Sequence, residues 1–160
     1  MRRLRHLAFG IAIATAAADF LAVKFLMGSG ATGKVLISGL ADFSPTFNRG
    51  VSFGLLTPDG PAGRHLLIAL LVGISLFVGV MAWRASTRLS SIGFGLILGG
   101  ALGNLVNRLI NGGVFDFLAL HLGKMPLFIC NFADMVITAG VIALFVEALF
   151  AKQGAGDLAA

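Results

Sequence analysis

Charge is scarce in this sequence. Only 12% of its 160 residues are Asp, Glu, Lys or Arg, about half the ~25% of an average soluble domain. Cysteine is nearly absent, and the lone Cys130, set in an apolar run, excludes an intrachain disulfide and a thiolate metal cluster. The three histidines (His6, His65 and His121) lie far apart, and no H-E-x-x-H occurs. No metal and no cofactor are therefore expected. Twelve Lys and Arg against seven acids leave a net +5. The basic residues are scattered, without the aromatic-interleaved stripe that a nucleic-acid surface needs. What is abundant is apolar: 58% of the residues are hydrophobic, 22 more are glycine, and the mean hydropathy is +0.96. That composition excludes a disordered, collagen-like or coiled-coil chain and points to a small membrane protein.

At ~20 residues per crossing, a chain of this length has room for four spans in one domain. Four apolar stretches fit, at roughly 7–27, 66–83, 92–110 and 127–150. Arg2, Arg3 and Arg5 precede the first, while Arg84 and Arg88 lie between the second and third. By the positive-inside rule those segments and both termini face the cytoplasm. The apolar run continues past Ala16-Ala17-Ala18 to Met27, so the first stretch reads as an uncleaved helix rather than a signal peptide. Residues 28–65 and 111–126 then face outward. The first of these loops is too apolar for a plain linker, and residues 35–43 and 48–56 read as short strands or an interfacial segment. The tail, 151–160, is small and polar and reads as mobile. The expected fold class is an all-α polytopic membrane protein of four transmembrane helices, with a small outward-facing β-like or interfacial element.

Two motifs mislead. Gly28 to Lys34 spells G-x-x-x-x-G-K, but Val35 stands where a phosphate loop needs Ser or Thr. Gly50-Val-Ser52-Phe-Gly54 spells a nucleophile elbow, yet four spans leave no room for the α/β-hydrolase sheet that such an elbow requires.

Polar groups inside a bilayer cost several kcal/mol and mark function by default. The third span carries Asn104, Asn107, Arg108 and Asn111, at offsets that place them on one helical face. Gly95, Gly99 and Gly103 upstream form a ridge for close helix packing. The fourth carries Asn131, Asp134 and Thr138 on one face, with Asp134 about two turns, or ~10 Å, into the span. Asp116 follows the third span closely. An antiparallel pairing of these spans brings both carboxylates to the same outward end. Two carboxyls there can share one proton, one activating water while the other protonates a carbonyl oxygen. A buried Asp held by Arg108 for structure alone stays open, as does a transporter or channel subunit in which Asp19, Asp134 and Arg108 line a polar path.

The stretches Asn48-Arg-Gly50-Val-Ser-Phe53-Gly54, Gly99 to Arg108, Gly113-Val-Phe-Asp116-Phe117 and Asn131-Phe-Ala-Asp134 resemble, in order, the motifs of the lipoprotein signal peptidase (signal peptidase II) family. The resemblance implies an aspartic endopeptidase of the bacterial inner membrane. Its substrates would be prolipoproteins with a diacylglyceryl-modified cysteine, cleaved just before that residue. It implies Asp116 and Asp134 as the catalytic pair, with Asn48, Gly50, Asn104, Arg108 and Asn131 lining or orienting the site. Two positions depart from the family pattern. Asn107 stands where the family has Asp, and Asp19 and Lys24 are five apart rather than four. About 140° therefore separates Asp19 from Lys24 around an ideal helix, so Asp19 is expected to face the bundle and Lys24 to snorkel outward. Asn107 is expected to donate hydrogen bonds and not to carry protons.

Overall fold

A computed structural model describes residues 2–30, 33–50 and 60–156. Its elements are helix α1 (Arg2–Gly28), strands β1 (Lys34–Ile37) and β2 (Ala41–Asn48), helices α2 (Gly60–Arg84) and α3 (Arg88–Asn111), strands β3 (Val114–Leu122) and β4 (Met125–Cys130), and helix α4 (Phe132–Gly156). All four helices are long and apolar enough to cross a membrane. Ser52 and Gly54 of the elbow-like motif lie outside the described residues, as do residues 157–160 of the tail.

The central helix is α3, which packs against α1, α2 and α4. Glycine makes this possible. A Cβ on Gly95 or Gly99 would sit 2.7 Å from a backbone oxygen of α1, and one on Gly100 would sit 2.6 Å from the Ala133 oxygen of α4. The ridge read from sequence thus meets α1, and a second glycine face meets α4. Such approaches let backbone and short side chains pack where lipid offers no hydrophobic drive for association. Large apolar residues such as Ile13, Phe25, Leu66, Leu76 and Phe145 are left exposed on the outer faces, as a lipid-facing surface requires. The α3 helix starts at a Thr87/Ser90 capping box and stops at Gly112, whose φ of 76° supplies a left-handed cap.

The strands form one antiparallel sheet in the order β1-β2-β3-β4. Each hairpin bridges two helices, β1–β2 between α1 and α2 and β3–β4 between α3 and α4. The whole sheet therefore sits at one end of the bundle. At the other end Arg5 donates to the Trp83 carbonyl at 3.0 Å and stacks 4.4 Å over its ring. The β2–β3 ladder sets Thr46 opposite Asp116 and Asn48 opposite Val114. The two hairpin turns are tied by His121 N–H to Leu40 O and Gly123 N–H to Gly39 O, both at 2.9 Å.

Several boundaries differ from the sequence expectation, among them the start of α2, at Gly60 rather than near 66. The stretch at 35–43 is a hairpin rather than one strand, turning at Gly39 with φ 77°. Residues 125–130, expected to open the fourth span, are strand β4, because Leu118 to Leu122 of β3 supply its ladder. A short apolar run does not by itself distinguish strand from helix. The last helix continues through Gly156, while its membrane-spanning part ends at Phe150, as expected.

Candidate active site

Moving the start of α4 to Phe132 relocates Asp134. It occupies the third position of the first helical turn, not a point two turns into the span. Asn131 caps the helix. Its Oδ1 accepts from Asp134 N–H at 2.9 Å, and the Asp134 carboxylate accepts from Asn131 N–H at 3.3 Å, a reciprocal capping box. The helix dipole favours a carboxylate at that position.

Asp116 arrives on β3 and is buried. Asn131 Nδ2 donates to its Oδ1 at 2.7 Å, and Asn48 Nδ2, from the end of β2, donates to its Oδ2 at 3.0 Å. The same Asn131 amide reaches Asn104 Oδ1 at 3.2 Å, and Asn104 Nδ2 donates to Asp134 Oδ1 at 3.0 Å. One amide thus joins both carboxylates. Burial raises the Asp116 carboxyl above its ordinary pKa; the bonds from Asn131 and Asn48 oppose that rise, the Asp134 charge adds to it and the Arg108 charge opposes it.

Arg108 forms no ion pair with either acid among the described residues. Its guanidinium instead spans two carbonyls, Gly50 O at 2.9 Å and Asn104 O at 3.3 Å. Gly50 N–H in turn donates to Asn48 Oδ1 at 3.0 Å. Arg108 thereby holds the end of β2 against α3, and the alternative of a purely structural Asp–Arg pair is not what the geometry contains. Asn48, Gly50, Asn104, Arg108 and Asn131 all meet in one network with Asp116 and Asp134.

The single polar face expected on the third span splits three ways. Asn104 turns to α4 and Arg108 to Gly50, while Asn107 turns to α1, where its Nδ2 donates to Asp19 Oδ2 at 2.9 Å. Thr138 back-bonds to the Asp134 carbonyl at 2.8 Å and stays exposed, outside the network. Asp19 is the residue that sequence reasoning left without a role. It is wholly buried, and its other oxygen accepts from Ala133 N–H at 3.1 Å. An intramembrane carboxylate that faces the bundle was the available signal. Lys24 is exposed over the Phe20 ring at 5.5 Å, as expected of a snorkelling residue. No group of three or more His, Cys, Asp or Glu suited to a metal occurs among the described residues.

Four apolar helices, with a buried Asp116 and a half-buried Asp134 linked through one amide, define a polytopic membrane protein with its polar chemistry gathered at one end. Residues 11–150 match the family model described as Signal peptidase (SPase) II, and the chain belongs to that family. Among curated relatives, the lipoprotein signal peptidase of Methylobacterium sp. (strain 4-46) is 37% identical over 98% of this chain and 97% of its own length. That of Methylorubrum extorquens (strain PA1) is 44% identical over 71% of this chain, and the match spans 66% of the relative's length. Two solved chains, each described as a bacterial membrane enzyme structure, share the fold. One has a TM-score of 0.76 at 20% identity, with 92% of this chain and 90% of the other covered. The second has a TM-score of 0.71 at 19% identity, with 89% and 92% covered.

Proposed function

We propose that this chain is a single membrane-embedded peptidase domain of the bacterial inner membrane. It removes the signal peptide from diacylglyceryl-modified prolipoproteins by an aspartic mechanism, cutting just before the lipidated cysteine. The supporting observation is the bridge through Asn131, which sets Asp116 and Asp134 into one hydrogen-bonded unit. Family membership supplies the substrate class.

In this mechanism the pair shares one proton, and the upward shift of the Asp116 carboxyl by burial supports assigning it to Asp116. Asp134 takes a proton from water as the water oxygen attacks the scissile carbonyl carbon. Asp116 gives its proton to the carbonyl oxygen, so no free oxyanion forms. When the tetrahedral intermediate collapses, the C–N bond breaks and the leaving amine takes the proton from Asp134, while the diol returns one to Asp116. Asn48, Asn104 and Asn131 keep the carboxylates oriented, and Arg108 fixes Gly50 beside them.

The arginine-flanked ends support a topology with both termini in the cytoplasm and the sheet, with the carboxylates, at the outer face. A lipid-anchored substrate reaches that level by lateral diffusion. A permeation path needs polar groups at many depths, whereas here the linked amides and acids cluster at the sheet end of the bundle. Asp116→Asn and Asp134→Asn keep shape but remove the titrating group, so each should abolish cleavage of a diacylglyceryl-modified substrate while the protein still accumulates. Near-parental turnover in either variant overturns the aspartic mechanism.

A further inference from the structure

The first helix contributes a wholly buried carboxylate that the proposed chemistry does not use. Asp19 meets two elements at once. Oδ2 accepts from Asn107 Nδ2 of α3 at 2.9 Å, and Oδ1 accepts from Ala133 N–H of α4 at 3.1 Å. Ala133 directly precedes Asp134, and its N–H is one of the first-turn donors that a helix cannot satisfy from within. Asn107 is itself held, since its Oδ1 accepts from Asn111 Nδ2 at 3.2 Å. The contact also depends on Gly103, where a Cβ would lie 2.7 Å from Asp19 Oδ2.

We propose that Asp19 is a positioning residue for Asp134, a brace between α1, α3 and the first turn of α4 that fixes where the Asp134 carboxylate stands relative to Asp116. This rests on the aspartic reading above. The physical case is one of matched polarity. Both Asp19 oxygens face N–H donors, so the brace needs acceptors at both ends of the group. Asparagine in its place offers only one acceptor, and its NH2 must face either the Asn107 NH2 or the Ala133 N–H. One of the two ties is lost whichever way the amide turns. Without the brace, the first turn of α4 keeps its Asn131 cap but loses its connection to the first helix. A displacement of the order of 1 Å at a reacting group costs roughly a hundredfold in rate.

The arrangement also offers its own rescue. In the exchange Asp19→Asn with Asn107→Asp, the new amide at 19 accepts from Ala133 N–H and donates to the new carboxylate at 107. That carboxylate still accepts from Asn111. Every tie through Asp19 is restored, with the charge moved from α1 to α3, while the bond that Asn107 Nδ2 donates to Gly103 O at 3.2 Å is lost.

The experiment compares the purified parent, Asp19→Asn, the exchange double variant and Asp134→Asn in cleavage of a diacylglyceryl-modified substrate. Thermal unfolding is followed on the same samples. Asp19→Asn should lower kcat by roughly tenfold to a hundredfold, the loss expected for one hydrogen bond to a charged acceptor, with KM changed much less. The exchange should recover part of kcat, short of the parent by the lost bond to Gly103 O. Parental kcat in Asp19→Asn, or a double variant no better than the single one, overturns the brace. So does a loss in Asp19→Asn that appears only as a lower melting temperature, with parental kcat in the folded fraction. Asp134→Asn separates the two readings. If it is inactive while Asp19→Asn turns over normally, only the role of Asp19 fails; if it is active, the aspartic reading fails and takes the brace with it.

Discussion

Asn131 does two jobs that substitution can separate. Its Oδ1 caps α4 through Asp134 N–H at 2.9 Å, and its Nδ2 donates to Asp116 Oδ1 at 2.7 Å. Asn131→Ala removes both. Loss of the cap costs about 1 kcal/mol of stability, and loss of a hydrogen bond to a carboxylate costs about 1.5–3 kcal/mol. Asn131→Asp keeps the cap, since Asp caps a helix as well as Asn does, but sets a carboxylate oxygen against Asp116 Oδ1 and Asn104 Oδ1 where the donor stood. The expected outcome for Asn131→Asp is a kcat lowered by at least about tenfold to a hundredfold. That range is the loss of about 1.5–3 kcal/mol from the transition state, at about 1.4 kcal/mol per factor of ten.

The pH profile supplies a second readout. The Asn131 bond opposes the burial-driven rise of the Asp116 carboxyl, so removing it lets that carboxyl keep its proton to higher pH. Since Asp116 works in its protonated form in the proposed mechanism, the alkaline limb of the rate profile should move to higher pH in Asn131→Asp. The assay is single-turnover cleavage of a diacylglyceryl-modified substrate by purified protein, read from the released signal peptide across pH. Parental kcat with an unmoved alkaline limb would refute the idea that Asn131 orients and tunes Asp116.

Arg108→Lys keeps a positive charge but loses the planar fork that spans Gly50 O and Asn104 O; cleavage should fall at least tenfold at normal protein level, and full activity removes the fork from the account. Gly99→Val forces a side chain into a gap where even a Cβ would lie 2.7 Å from Ala12 O and Thr15 Cβ. Overpacking of that kind costs about 1–3 kcal/mol, and an unchanged melting temperature would show that α1 and α3 pack less closely than described. Cys130 is buried, and burial, then the Asp134 and Asp116 charges, push its thiol up to about 11. It should react with a maleimide at neutral pH far more slowly than an exposed thiol, and labelling should accelerate only on unfolding. Reporter fusions near residue 86 should report the cytoplasm and fusions near residue 120 the outer side; the reverse result would place the carboxylates away from the lipidated cleavage site and sink the peptidase reading.

Hydropathy and charge alone carried the four spans, because a run of about 20 apolar residues has few stable environments other than a bilayer. The glycine ridge at Gly95, Gly99 and Gly103 was equally legible, as a spacing that only a close helix neighbour explains. Other features had no local signal. The apolar run that closes at Cys130 reads alike as strand or helix, and β3, rather than any property of Leu127 to Ile129, made it β4. That choice moved the start of α4 and turned Asn131 from one more polar residue on a helix face into the cap that also reaches Asp116. The tie from Asp19 to Ala133 crosses 114 positions of chain, and the same side chain finds Asn107 because α3 packs against α1. Periodicity reports which residues share a face of one element. Which faces meet, and hence which donor finds which carboxylate, is decided only when the helices pack, since a hydrogen bond depends on ångström distances that the spacing along a single helix does not contain.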